Sequence, residues 1–142
     1  MKKILSIFIA CFVLVLATVN AQKTSKVPAV VKTAFSKKFP AVTKVNWEKE
    51  DGNYEANWGG KRDEDHTAVF TPAGEFTESS NVIPINQLPA NVLTYIKNHY
   101  KGAKITEAML VTDASGKTFY EAEVHKKDIV FDGNGNFVKE EK

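Results

Sequence analysis

The chain has 142 residues, 19 Lys and Arg against 17 Asp and Glu, and one cysteine, Cys11. That length supports one domain, or two very small ones. A disulfide scaffold, a zinc-thiolate site, a cysteine nucleophile and a nucleic-acid binder relying on basic charge are all poorly served by this composition.

Residues 1–21 read as a secretory signal peptide. Lys2 and Lys3 precede an apolar run from Ile4 to Ala17, broken by Ser6, and Val19 and Ala21 stand at the −3 and −1 positions of a cleavage site. The run is shorter than the roughly 20 apolar residues of a bilayer span. Lipidation of Cys11 is the alternative. Phe12-Val13-Leu14-Val15-Leu16 argues against it, because the apolar run continues past the cysteine. With Lys2 and Lys3 removed, basic residues fall from 19 to 17 and equal the 17 acidic ones. The expected product is a periplasmic or secreted domain over residues 22–142, with no membrane attachment after cleavage.

Two stretches, 27–80 and 88–142, follow one pattern. Val27-Pro28-Ala29 is matched by Leu88-Pro89-Ala90, Tyr54-Glu55-Ala56 by Tyr120-Glu121-Ala122, and Phe70, Gly74 and Phe76 by Phe131, Gly135 and Phe137. Each stretch opens on a helix. Val27, Val31, Phe35 and Phe39 recur every four residues, as do Leu88, Val92, Ile96 and Tyr100. Pro28 and Pro89 suit helix starts, and Pro40 and Gly102 suit stops.

Four strands follow each helix: about 42–49, 53–58, 65–71 and 75–81, then 104–112, 118–125, 128–131 and 137–140. Asp51-Gly52, Pro72-Ala73-Gly74, Ser115-Gly116 and Asp132-Gly133-Asn134-Gly135-Asn136 supply short turns, which demand antiparallel pairing. The expected fold class is α+β: two tandem helix-plus-four-stranded antiparallel units in a single domain. Each unit is marginal alone. The expectation is therefore a shared core, with both helices packed on one face of the sheet.

This pattern resembles the PepSY-like, beta-lactamase-inhibitor-like family of exported bacterial proteins. The resemblance rests on "VPAVVKTAFSKKFPAVTKVNWEKEDGNYEANW", "LPANVLTYIKNHYKGAKITEA" and "GKTFYEAEV…IVFDGNGNFV". It implies tandem helix-plus-sheet units and a non-enzymatic binding or inhibitory role.

Strand alternation assigns faces. Tyr54, Ala56, Trp58, Ala68, Phe70, Tyr120, Ala122, Val124, Ile129 and Phe131 read as helix-covered core. Glu55, Asn57, Val69, Glu121, Glu123 and Val130 fall on the opposite, open face, the candidate surface for an unidentified protein or peptide partner. Trp47 is either a core anchor or an exposed recognition aromatic. A rival reading takes Glu121, Glu123 and His125, alternating along one strand, as a small-ligand or metal site; solvated sheet face is the plainer account. Asp63-Glu64-Asp65-His66 reads as a charged strand start. The Asp132 loop fails as an EF-hand, because Phe137 stands where Gly is required. No G-x-S-x-G elbow or phosphate loop occurs, so no enzyme, metal or cofactor is expected.

Mass spectrometry of the exported protein is expected to give an N-terminus at Gln22. A lipid-modified Cys11 or a retained Met1 would refute the leader.

Overall fold

In the computed structural model, residues 26–62 and 64–141 are described; the signal-peptide expectation and Cys11 lie outside them. The order is α1 (Ala29–Lys38), β1 (Asn46–Glu50), β2 (Asn53–Trp58), β3 (His66–Phe70), β4 (Phe76–Val82), a 3-10 turn (Ile85–Gln87), α2 (Ala90–His99), β5 (Ile105–Asp113), β6 (Thr118–Val124), β7 (Lys127–Asp132) and β8 (Phe137–Glu141).

Each helix starts where proline sets φ, at Pro28 (−56°) and Pro89 (−53°). Each ends on a backbone bond to the last turn, Phe39 N–H to Phe35 O and Tyr100 N–H to Ile96 O, both 2.8 Å. Lys37 and Lys38, and Lys97 and His99, lie in the last turns, where positive charge suits the helix dipole.

The strands form one eight-stranded antiparallel sheet in chain order, β1 to β8. This corrects the expectation of two tandem four-stranded units. β4 and β5 pair directly across the linker, from Glu78↔Asp113 to Val82↔Met109. Ile83 N–H extends the ladder to Ala108 O at 2.9 Å. The reason is the cost of sheet edges. Two separate units would leave four edge strands with unpaired N–H and C=O groups, and joining β4 to β5 removes two of them.

The shared core is corrected too. Val31 and Phe35 of α1 pack with Tyr54, Ala56, Ala68 and Phe70. Val92 and Ile96 of α2 pack in a separate cluster with Leu88, Ala108, Ala122, Val124, Ile129 and Phe131. Following alternate residues through the register pairs places both clusters on the same face. Tight turns fix each helix over its own half. Gly74 (φ +84°) approaches Val30 of α1 so closely that a Cβ would lie 3.0 Å from the Val30 carbonyl oxygen. In the second half the Asn91 side chain of α2 donates to Asn134 O at 2.8 Å.

Phe35→Ala and Ile96→Ala are each expected to cost about 2–5 kcal/mol, as buried large-to-small changes do. Because the clusters are separate, the double variant should be additive to within about 0.5 kcal/mol in denaturant titrations. A coupling well above that would mean one core.

Candidate functional site

The face opposite the helices carries the sequence-predicted residues, but not as an evenly exposed surface. Glu55 is 9% exposed, Glu121 1% and Val130 fully buried. Asn57, Val69 and Glu123 are half-buried. Trp47 lies on the other side of the sheet, its ring 5.3 Å from Phe35 and 6.5 Å from Phe70, so it is a packing residue of the α1 cluster. His125 has φ +54° and follows the end of β6. It is an exposed turn residue and leaves the alternation that aligned it with Glu121 and Glu123. His66 stacks on Trp58 and contacts Asn81 Oδ1 through Nδ1 at 2.7 Å. Among the described residues no group of three His, Cys, Asp or Glu side chains is placed to hold a metal ion.

Burial on a face without a helix has a geometric cause. Val111, Phe119 and Val130 make a third apolar cluster there, so side chains of β5–β7 are buried on both sides of the sheet. Val111, Phe119, Glu121 and Val130 are all at most 2% exposed on a side that neither helix covers, so the sheet rolls toward its helix-free side around β5–β7. Register shifts at Val69/Phe70 and Val130/Phe131 contribute, since bulges add bend and twist.

Two cross-strand rows line this trough. One runs Val82–Met109–Glu121–Val130–Lys139 across β4 to β8. The next runs Glu107–Glu123–Asp128–Glu141 across β5 to β8. Like charges directly opposite each other are destabilising, and every position in the second row is a carboxylate. Lys139 Nζ donates to Glu141 Oε1 at 2.5 Å, and Thr106 Oγ1 donates to Glu123 Oε1. Among the described residues neither carboxylate oxygen of Glu121 has a hydrogen-bond partner, nor does Glu141 Oε2.

These surroundings favour the protonated forms of the acids. Burial, then the charges of Glu78, Glu141 and Glu107, push Glu121 up to about 8, with Lys139 opposing. Burial and then Glu141 raise Glu78 to about 7 and Asp128 to about 6. Burial raises Glu107 and, at the other end of the face, Glu55. There Thr67 donates to Asn57 at 2.8 Å, and Asn57 donates to Glu55 at 2.7 Å. The hairpin acids behave oppositely. Asp113 is lowered chiefly by its Ser115 side-chain bond, and Asp132 by the Asn136 backbone bond. Asp132 thus serves as a turn acceptor, bonding the Asn134 and Asn136 N–H groups at 2.9 Å.

Sequence reasoning missed Glu78, Glu107, Asp128, Lys139 and Glu141. The available signal was the unbroken Ile129-Val130-Phe131 run. Consecutive apolar residues in a strand mark burial on both faces.

The profile of the family described as "Putative beta-lactamase-inhibitor-like, PepSY-like" matches residues 58–139. No curated protein matches the sequence. Among solved structures, a protein described as a "putative periplasmic" one from Bacteroides eggerthii superposes with a TM-score of 0.69 at 18% identity, covering 80% of this chain and 87% of that one. A DUF2874 family protein from Bacteroides uniformis gives 0.68 at 18% identity, covering 80% and 87%. A BLIP-like protein from Bacteroides fragilis gives 0.62 at 19% identity, covering 80% and 84%. At these identities the likeness is one of fold.

The raised acids fix the sign of a pH dependence. A carboxyl with a higher pKa folded than unfolded binds more protons in the folded state, so its contribution is full below the unfolded pKa and lost as pH rises through the folded one. Thermal melts should therefore show lower stability at pH 8 than at pH 5, across the window set by Asp128, Glu78 and Glu121. Glu121→Gln should flatten the upper part of that decline. A midpoint that rises from pH 5 to pH 8 would contradict the burial of these groups.

Proposed function

As this chain belongs to the PepSY-like, beta-lactamase-inhibitor-like family, we propose that it is an exported, non-enzymatic binding module that contacts a protein or peptide through the helix-free face of its sheet. The observation that carries this reading is the rolled face itself. It grades from exposed Val82 and Glu107 through half-buried Val69, Met109 and Glu123 to buried Glu121. No element described here is packed over it. Exposed sheets recognise partners through face side chains or by adding an edge strand, and this face offers both polar and apolar groups.

Export to the periplasm or cell exterior is supported by the leader-like residues 1–21 and by the Bacteroides eggerthii neighbour, described as periplasmic. No helix among the described residues is long and apolar enough to cross a membrane. A binding rather than catalytic role is supported by the inhibitor-like description of the family and of the Bacteroides fragilis neighbour.

Capture from the cell's own envelope extract tests the face. Val69→Arg combined with Glu123→Lys should abolish recovery of the partner, while Lys32→Glu with Lys97→Glu, on the helix side, should not. Neither pair should move the melting midpoint much, since exposed or half-exposed substitutions usually cost within about 0.5 kcal/mol. Capture insensitive to the first pair would move the contact to the β1 or β8 edge.

A further inference from the structure

We infer that the trough around Glu121 receives an arginine side chain of the partner protein, its guanidinium directed at the Glu121 carboxyl beside the acidic row of β5 to β8. This rests on the binding-face reading above and names the chemistry the face selects.

An acidic row alone would be a solvated surface. The second observation is Glu121, 1% exposed, pointing into the trough, with both oxygens lacking a partner. A buried carboxyl group with neither oxygen bonded is costly, and its surroundings do not relieve it. Three carboxylates, Glu78, Glu141 and Glu107, act on it against one ammonium, Lys139. Lys139 Nζ is itself bonded to Glu141. The excess is local, because the chain as a whole has a formal net charge of +2.

The shape of the deficit points to guanidinium. Two adjacent orphan oxygens on Glu121, with Glu141 Oε2 also unpartnered, match a planar fork of donors better than a point charge. Lys139 shows the contrast: its compact ammonium lies in the same row, yet both Glu121 oxygens stay unbonded. A guanidinium is also weakly hydrated, which suits a closed site. The approach is apolar. Val82, 39% exposed, and half-buried Met109 precede Glu121 in its row and can carry the methylene stem. The incoming group competes with Lys139, which is bonded to Glu141 and is the one ammonium acting on Glu121. Lys139 sits on an edge strand paired only to β7. A metal ion fits less well, since among the described residues no three ligating side chains converge.

The test uses three pentapeptides, Gly-Gly-X-Gly-Gly with X as arginine, lysine or citrulline, titrated into the full protein with amide NMR shifts as readout. The arginine peptide should shift the Glu78, Glu121 and Lys139 amides. It should bind at least about tenfold tighter than its neutral citrulline counterpart. Glu121→Gln should lose that margin while melting no lower than the parent at pH 8, which separates lost binding from lost folding. Lys139→Met should tighten binding, because it removes the internal competitor; a merely structural lysine would give no gain. Equal binding of the arginine and citrulline peptides, or an unchanged Kd in Glu121→Gln, overturns the inference. Tighter binding of spermidine or calcium chloride at the same amides also overturns it, in favour of a small-cation site. Partner capture lost in Val69→Arg/Glu123→Lys but retained in Glu121→Gln would keep the binding face and remove the arginine.

Discussion

Five register pairs between β4 and β5 hold the molecule together as one sheet. α1 and α2 pack into separate clusters, so the join is made by backbone ladder and by side chains on the two faces. Once β4 is bonded to β5, every row on the helix-free face runs from one half into the other. Val82 of the first half then leads through Met109 to Glu121 of the second. Glu78 and Glu141, distant in sequence, come to act on the same carboxylate.

Rolling gives that face two opposed properties. It buries Val111, Phe119 and Val130, which stabilises the second half on the side the helix does not cover. It also draws Glu78, Glu121, Asp128 and Glu141 out of water and toward one another. The electrostatic cost falls on the face proposed to meet a partner, and titratable groups perturbed in this way cluster at functional sites. The helix face shows no such tension, since its aromatics meet edge to face around Phe35 and Phe131.

Open edges are managed by charge. β1 exposes Glu48, Lys49 and Glu50, and β8 carries Lys139, Glu140 and Glu141. Charged edge strands resist uncontrolled pairing with other chains.

The sequence by itself determined the two helices, the eight short strands and which side chains of β2, β3, β6 and β7 share a face. These follow from local rules: proline starts, four-residue apolar spacing, glycine turns and period-two alternation, all legible in residues such as Val31, Phe35, Tyr54 and Ala122. It also set Glu55, Asn57, Val69, Glu121, Glu123 and Val130 opposite the helices. Only the tertiary structure decided that β4 joins β5, that Trp47 packs inward, that His125 turns out of its strand, and that Glu121 is enclosed. Alternation says which way a side chain points, but not how far the sheet bends. Enclosure depends on how far neighbouring strands curve together, and no local pattern of residues encodes that.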